Sequence, residues 1–308
     1  MFLRFTKGEN MRYIFIVNPK AGAGENEKRV RAAIEELPQK ENCEVYLTKA
    51  PGDATNFVRE KSKENEDFVF VACGGDGTLN EVMNGAVGKE NAAVTCYPCG
   101  SGNDFVKCFG GSEKFMNLSS LLENKAKKID LLKIGNRYSV NVTNFGFDTT
   151  VAITINKERE KTGHGNKNAY TKGVVTALIK SMKTDCTVIA DGETLNPDGK
   201  LLLCTVANGQ YVGGSFRCAP RAKLDDGLIE VCLIKPISRL RFVKVLKPYT
   251  AGEHLDSEEM KDIIVYRRAK RVEVIAKPGF AYSLDGEIIY SDRFTIELVK
   301  GAVNFIAP

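Results

Sequence analysis

The amino-acid sequence predicts two domains of different class: a doubly wound parallel α/β domain over residues 12–129 and an antiparallel β domain over 130–308. Three observations predict this. Up to Ile129, short continuous apolar runs alternate with stretches whose apolar residues recur at helical spacing, as in strands buried on both faces and separated by helices. After Ile129, strand-like segments follow one another with turn signals between them. The composition is globular: 308 residues, 43% hydrophobic and 27% charged, with a net charge of +5. That length suits two domains, each able to bury a core, and the composition excludes a disordered or collagen-like chain.

Taken in order, Tyr13–Val17 is an apolar strand that runs into Asn18-Pro19-Lys20-Ala21-Gly22-Ala23-Gly24. Val30, Ala33, Ile34 and Leu37 form one helix face. Glu44–Thr48 is strand-like. Ala54, Phe57 and Val58 mark a helix that starts after Asp53, a capping residue type. Phe68–Cys73 is a second continuous apolar run and leads at once into Gly74-Gly75-Asp76-Gly77-Thr78. Leu79, Val82, Met83 and Ala86 make the next helix stripe. Ala92–Tyr97 is a fourth strand, followed by Pro98-Cys99-Gly100-Ser101-Gly102-Asn103-Asp104. In the second domain, Asp130–Ile134 and Tyr138–Val142 flank a turn at Gly135-Asn136. Cys186–Ala190, Leu201–Ala207, Leu228–Ile234, Arg271–Ala276, Ala281–Leu284 and Phe294–Val299 complete the strands. Helices are expected at Tyr170–Met182 and Arg239–Tyr249. No linker of low complexity occurs, so the domains are expected to pack directly with a cleft between them. The extreme C-terminus is expected to pack back on the first domain.

No uncharged apolar run reaches the ~18 residues of a spanning helix, and the N-terminus lacks a signal-peptide layout. Residues 1–10 read as an appendage before Met11. Most of the nine Cys fall in apolar runs, which reads as reduced, buried thiols in a cytoplasmic protein. Cys96 and Cys99 form a single CxxC with no second pair, too little for a zinc site. Cys99 lies in a polar loop, where oxidation sensitivity is an expectation to test. A mild basic balance does not argue for nucleic acid. The short clusters Lys125–Lys128, Arg239–Lys247 and Arg267–Arg271 suit either solvated faces or an anionic membrane surface.

The chemistry concentrates in loops. In Gly74-Gly75-Asp76-Gly77-Thr78, glycines let main-chain N–H groups turn toward an anion, and the following helix adds its positive end. A carboxylate among phosphate-binding amides would be repelled unless a cation stood between, so Asp76 implies Mg²⁺. The competing reading is a tight turn with Asp76 as a helix cap. Neither GxxxxGK[ST] nor GxGxxG occurs, so a P-loop ATPase and a standard dinucleotide fingerprint are unsupported. Three small-residue loops fall at the carboxyl ends of strands, where open α/β sheets bind ligands.

The set NPKAGAG, TKAPGDA (48–54), GGDGTLNEV (74–82), PCGSGND (98–104), NGQYVGGSFRCAPRAKLDDGLIEV (208–231) and LDGE (284–287) closely resembles the diacylglycerol kinase catalytic-domain family, with soluble bacterial lipid kinases nearest. NAD kinases share GGDGT alone; GGDGT with GSGND and a C-terminal LDGE is the specific combination. The resemblance implies ATP-dependent phosphorylation of a lipid hydroxyl by a nucleotide-binding α/β domain joined to a β-sandwich. It implies that Asn18, Pro19, Lys20, Ala21, Gly22, Thr48, Gly74, Gly75, Asp76, Gly77, Thr78, Leu79, Asn80 and Ser101 line the nucleotide. Ser101 stands where these kinases commonly have threonine. Asp76, Asp104 and Asp130 match the acidic positions of a magnesium and water network. Lys223, Asp226 and Leu228 match a second, structural magnesium site, with the Asp giving its carboxylate and the others main-chain carbonyls. Glu287 matches the general base, with Asp285 beside it.

A lipid alcohol is un-ionised at neutral pH, so phosphoryl transfer needs alignment, charge neutralisation and an acceptor for the hydroxyl proton. The chain has two His; His164 sits in a polar loop and His254 in GEHL, both read as surface or packing residues. A carboxylate base is then the economical choice. By itself Asp285-Gly286 is also a strong hairpin-turn signal. In the 239–249 helix, Phe242, Leu246 and Tyr249 share a face, either against a bilayer or against the domain itself. The expected protein is a cytoplasmic lipid kinase using ATP and Mg²⁺. It acts peripherally on a lipid substrate at a membrane surface, with no transmembrane segment and no nucleic-acid partner; a homodimer is left open. Diacylglycerol is the favoured acceptor, and a different lipid alcohol, such as a sphingoid base or a glycolipid, fits the same motifs. The rivals are an NAD kinase-like enzyme acting on a soluble nucleotide and a non-catalytic nucleotide or lipid sensor.

Overall fold

In a computed structural model, residues 11–21, 24–162 and 167–308 are described, without the side chains of 159–162 and 167–171. Residues 1–10, Gly22 and His164 lie outside the described residues. The chain divides into two compact units, one running to Leu131 and including Val299–Pro308, the other spanning Leu132–Leu298.

The first unit holds β1 (Met11–Val17), α1 (Asn26–Glu35), β2 (Cys43–Leu47), α2 (Asp53–Lys61), β3 (Asp67–Gly74), α3 (Asp76–Ala86), β4 (Ala92–Pro98) and a short α4 (Leu118–Leu121). Its strands pair in parallel in the order β2-β1-β3-β4. Ile14, Phe15, Ile16 and Val17 of β1 and Phe68, Phe70 and Val71 of β3 are fully buried, which is why both strands read as unbroken apolar runs rather than alternating ones. The chain steps outward from β1 to β2, then crosses back over β1 to β3. Between β1 and β3 the order of the strands therefore reverses, the kind of switch point at which open α/β sheets bind ligands. Asp53 is the first residue of α2, and Gly52 precedes it as cap residue. The Asp53 carboxylate accepts instead from Tyr46 Oη (3.0 Å) and Lys49 N (2.8 Å). It thus fastens the Thr48-containing loop, rather than capping the helix as expected.

The remaining elements are β5 (Lys127–Ile134), β6 (Arg137–Ser139), β7 (Val142–Gly146), α5 (Phe147–Thr162), α6 (Lys167–Lys180), β8 (Thr184–Ala190), β9 (Glu193–Thr194), β10 (Lys200–Leu201), β11 (Leu203–Ala207), β12 (Ile229–Ile234), α7 (Arg239–Ala251), β13 (Ile264–Ala269), β14 (Arg271–Ala276), β15 (Ala281–Leu284), β16 (Glu287–Tyr290) and β17 (Arg293–Phe305). In the second unit an antiparallel sheet runs β13-β12-β11-β7-β15-β16. A second layer is built on β8, β14 and the first half of β17. Phe145, Cys204, Val206, Val231 and Leu233 of the first sheet pack with Val188, Val272, Val274, Phe294 and Ile296 of the second. That shared core makes a β-sandwich. The opposite face of the first sheet packs Val142, Leu203 and Ala207 against Phe147, Ala177, Phe242, Val245 and Tyr249 of the helices. β11 shows the alternation directly: Cys204 and Val206 face the sandwich, Leu203 and Ala207 the helices.

The run expected as one strand over Leu201–Ala207 is two strands broken at Leu202. Its N–H donates to Ile234 O (2.7 Å) and its carbonyl accepts from Phe147 N (2.9 Å), so the residue leaves one sheet to enter the other. The strand expected over Tyr138–Val142 likewise breaks at Val140-Asn141, because both residues turn their N–H groups to a side chain described below.

Candidate active site

The loops that leave β1, β3 and β4 are tied to one another through their main chains. Asn18 N donates to Cys73 O (3.0 Å) and Cys99 N to Gly74 O (2.8 Å). Asn26, fully buried at the start of α1, donates from Nδ2 to both Asn18 O (3.0 Å) and Cys73 O (2.8 Å). Asn18 Oδ1 accepts from Lys20 N (3.0 Å), which closes the turn after β1, and Thr48 N joins the group through Val17 O (2.9 Å). Gly75 and Gly100 touch backbone to backbone: a Cβ on Gly100 would lie 2.5 Å from Gly75 Cα. No side chain caps α3, which follows Gly75. Such a helix start directs N–H groups and positive potential at an anion, and the space around Gly77 is open.

Two carboxylates stand beside this helix start. The position of a Cβ on Gly102 would be 3.0 Å from Asp76 Oδ2 and 3.8 Å from Asp104 Oδ2, so glycine there leaves both acids room. Asp76 Oδ1 accepts from Phe105 N (3.2 Å), and Asp104 pairs with Lys107 Nζ (2.6 Å). A pair of carboxylates placed beside an anion-binding helix start is the donor type that a divalent cation between phosphate and protein would use. Asp130 is buried on β5, and its Oδ1 accepts from Gly301 N (2.7 Å). Among the described residues no three His, Cys, Asp or Glu side chains form a metal-holding group. A cation here would complete its shell from phosphate, main chain or water. Leu79 is buried in the core, so only its main chain can face a nucleotide. Asn80 accepts from Asn84 Nδ2 (3.1 Å), and Lys20, Gly77 and Ser101 are exposed at the loop tips, with Pro19, Ala21 and Gly75 partly so.

In the second unit, β15 and β16 meet with Leu284 opposite Glu287. The two-residue loop between them, Asp285-Gly286, has φ of 46° and 93°, the geometry for which Asp-Gly is the favoured pair. Asp285 also holds the chain before β7. Its Oδ1 accepts from Ser139 Oγ (2.9 Å), Asn141 N (3.1 Å) and Val142 N (2.8 Å), and its Oδ2 from Val140 N (2.7 Å). Burial pushes the Asp285 carboxyl above its ordinary range, and these hydrogen bonds pull it back. Glu287, one residue beyond the turn, is exposed and paired with Arg137 at the start of β6. Asn141 and Asn208 extend the network: Asn141 O accepts from Asn208 N and Gly209 N (both 2.9 Å), and Asn141 Nδ2 donates to Tyr211 O (2.7 Å). The LDGE and NGQY segments therefore converge on residues 139–142.

Comparison with known proteins agrees with this arrangement. Residues 12–134 match the diacylglycerol kinase catalytic domain, and residues 141–307 match the YegS C-terminal NAD kinase beta sandwich-like domain, more than half of the chain. The chain belongs to the diacylglycerol kinase family. It is 27% identical over 277 residues to a diacylglycerol kinase of Bacillus subtilis, covering 88% of each chain. It is 28% identical to one of Staphylococcus aureus, covering 88% of this chain and 84% of that protein. A crystal structure of a diacylglycerol kinase from Bacillus anthracis shares the fold, with TM-score 0.74, 23% identity and 98% and 99% of the two chains covered.

As a lipid kinase the chain takes its phosphoryl group from a nucleotide donor. Its remaining acidic site lies in the turn before β12. Asp226 Oδ1 accepts from Leu228 N (3.1 Å) and Oδ2 pairs with Arg268, whose Nε also meets Glu230 Oε1 (3.0 Å). Two carboxylates, one of them on a residue 2% exposed, share a single guanidinium. A cation beside Asp226 would offset the negative charge that this one guanidinium leaves.

The kinase's other titratable groups have packing explanations. Burial raises the Cys99 thiol, and the fully buried Cys73 and Cys96 well above their usual range; this direction disfavours the reactive thiolate. His254 is buried with its ring centroid 4.8 Å from that of Tyr249. In α7, Phe242 and Tyr249 are buried and Leu246 partly so, so the expected stripe packs on its own domain. Residues Asn26, Arg137, Ser139 and Asn141 escaped the sequence reading. Asn26 lay close to the first motif loop, whereas the other three carried no local signal.

Proposed function

We propose that the kinase transfers the γ-phosphoryl group of ATP to the free hydroxyl of diacylglycerol, giving phosphatidic acid and ADP. The observation that carries this reading is the amide-lined helix start of α3, with Asp76 and Asp104 meeting beside Gly102. Main-chain N–H groups of residues 75–78 and the turn at Asn18–Ala21 would hold the phosphates. Thr48, Asn80 and Ser101 would bound the rest of the nucleotide. Asp76, with Asp104 and Asp130 in its network, would hold Mg²⁺, which when bound neutralises charge on the phosphate oxygens. The lipid oxygen attacks the γ-phosphorus, the bond to ADP breaks, and the hydroxyl proton passes to the Glu287 carboxylate. Arg137, paired with that carboxylate, orients it. Asp285, with its oxygens engaged by Ser139 and three N–H groups, fixes the turn that carries Glu287. Asp226 with Lys223 and Leu228 would hold a structural Mg²⁺.

The test is transfer from labelled ATP with Mg²⁺ to diacylglycerol in nonionic detergent micelles, with NAD offered in parallel. Labelled phosphatidic acid is the expected product. Label on NAD alone, or tight ATP binding without transfer to any lipid of a bacterial extract, would replace this reading with the NAD kinase or the sensor.

A further inference from the structure

The second unit holds a cavity of about 560 Å³, lined by none of the residues assigned to the reaction. Both layers of the sandwich border it. Tyr282 of β15 comes from the first sheet and Phe294 of β17 from the second, and their rings stack with centroids 4.0 Å apart and planes 21° from parallel. Lys133 of β5, Arg271 of β14, and Arg293 and Glu297 of β17 line the same space. Strand alternation brings them there. Phe294 and Ile296 are buried, so Arg293 and Glu297 take the opposite face of β17, and Arg271 lies directly across from Glu297. The volume falls within the range of roughly 300–1,000 Å³ that small-molecule sites occupy.

Two observations point to a ligand. Tyr282 is 3% exposed, yet its hydroxyl has no hydrogen-bond partner among the described residues. A buried phenol ordinarily finds one, and the open space that this side chain borders is the cavity. Burial pushes the Tyr282 phenol above its ordinary range, against the pull of the nearby Arg137 guanidinium, so the hydroxyl keeps the proton it would donate. The second observation is charge. Of the four charged side chains in the lining, three are cations. Glu297 is engaged by Arg271 (2.7 Å), which also meets Glu273 outside the lining (3.2 Å). Lys133 and Arg293 enter none of the ion pairs of the described residues. The neighbouring Arg267 and Arg268 do pair, with Glu193, Asp226 and Glu230. Two unmatched cations, a free hydroxyl donor and a ring pair suit an anion with two charges, several acceptor oxygens and an organic group. A phosphate monoester carries about −1.5 to −2 charges at neutral pH and three such oxygens. Orthophosphate alone would leave most of the cavity empty, and a single carboxylate offers one charge.

We propose that this cavity binds a small phosphate monoester, Lys133 and Arg293 meeting the phosphate, the Tyr282 hydroxyl donating to one of its oxygens, and the Tyr282–Phe294 ring pair bordering the organic group. The test is calorimetric titration of the full chain with sn-glycerol 3-phosphate, with glycerol and orthophosphate in parallel. A non-hydrolysable ATP analogue and Mg²⁺ are present throughout to occupy the phosphate loops of the first unit. Saturable binding of the ester is expected, weakened by added salt, with orthophosphate at least about tenfold weaker and glycerol silent. Lys133→Gln with Arg293→Gln should weaken the ester at least about tenfold. Tyr282→Phe, which keeps the ring stack and removes only the donor, should weaken it about tenfold. The double variant alters side chains at the rim and should keep the wild-type melting temperature and the affinity for the ATP analogue, so it decides the question even if Tyr282→Phe fails to fold. Dihexanoyl phosphatidic acid, offered in the same titration, separates the sources of the ester. Binding tighter than that of glycerol 3-phosphate, and lost in the double variant, would support a lipid-borne headgroup; weaker binding would support a soluble ester. Wild type that takes neither ester, a folded double variant that binds them as wild type does, or orthophosphate binding as tightly as the esters would overturn the proposal. None of these readings depends on which lipid the kinase phosphorylates.

Discussion

The two units build their functional regions by opposite means. In the first, the loops after β1, β3 and β4 present main chain: Gly75 and Gly100 in contact, Gly102 leaving space for two acids, an uncapped helix start at Asp76. In the second, side chains hold the geometry: Asp285 gathers Ser139 and three N–H groups, and Glu287 leans on Arg137. Phosphate is a fixed, symmetrical anion that amides and small residues can surround. A proton acceptor must be a side chain, and an exposed side chain needs others to hold it. The difference makes separate demands on substitution: the first region should fail when a side chain is added, the second when one is altered.

The largest effect should come from the second region. Glu287→Gln keeps the volume and one hydrogen bond to Arg137 but removes the proton acceptor. General-base catalysis contributes about 10²–10⁴-fold, so kcat should drop within that range while ATP affinity stays near wild type. Asp285→Asn is the companion. If Asp285 only holds the turn, its variant should lose stability more than chemistry, because an amide nitrogen would face the donors of residues 139–142. A dead Asp285→Asn beside an active Glu287→Gln would reverse the two roles.

Adding one methyl group should be nearly as damaging in the first region. In Gly100→Ala the new Cβ would lie 2.5 Å from Gly75 Cα, and backbone cannot yield there without moving the helix start of α3. Misplacement on the order of 1 Å can cost about 10²-fold in rate. Activity should fall by that order with ATP affinity reduced in parallel, which separates it from the Glu287 phenotype. Unchanged turnover would show that the loops are not held by this contact.

The same contrast explains what the sequence disclosed. The glycine loops were legible because residue type and local order state their purpose: glycine, a small hydroxyl or an acid directly after a buried strand. Their partners were not. Asn26 bridges two loops from the first turn of a helix, and Arg137 and Ser139 meet the 285–287 turn only through pairing of strands far apart in sequence. β7 and α5 went unassigned. Val142–Gly146 is short and Thr- and Asn-bearing, and Phe147–Thr162 carries β-branched and charged residues without one clear apolar face. Arg267–Arg271 read as a solvated or membrane-facing cluster because its balancing acids, Glu193, Asp226 and Glu297, lie far away in the sequence.

A metal test would sharpen the account of the second unit. If Asp226 holds a cation, Mg²⁺ should raise the melting temperature by mass action, worth about 2.7 kcal/mol at a hundredfold excess over its dissociation constant. Asp226→Ala should abolish that shift. An equal Mg²⁺ effect in the variant would leave Arg268 as the cation that serves this turn.

The smallest effect concerns two titrating groups near Tyr249, and it probes whether buried side chains govern the second unit as the comparison implies. Burial lowers His254 to about 4, below its ordinary 6.5. Burial also raises Asp148 to about 6 from 3.8. Below pH 6.5 the unfolded chain protonates His254 while the folded one resists, so this group destabilises as pH falls toward 4. Between pH 6 and 3.8 the folded chain takes up a proton at Asp148 that the unfolded chain leaves off, so this group stabilises as pH falls. From pH 7 to 5 the first costs about 2 kcal/mol and the second returns about 1 kcal/mol, which largely hides both in the wild type. Single variants should expose them. His254→Gln should gain stability on acidification relative to wild type, and Asp148→Asn should lose it, giving urea-unfolding profiles with opposite pH slopes. Parallel slopes in the two variants would mean that neither group is held in its buried, neutral form, and that the helix-facing side of this sheet is open to water.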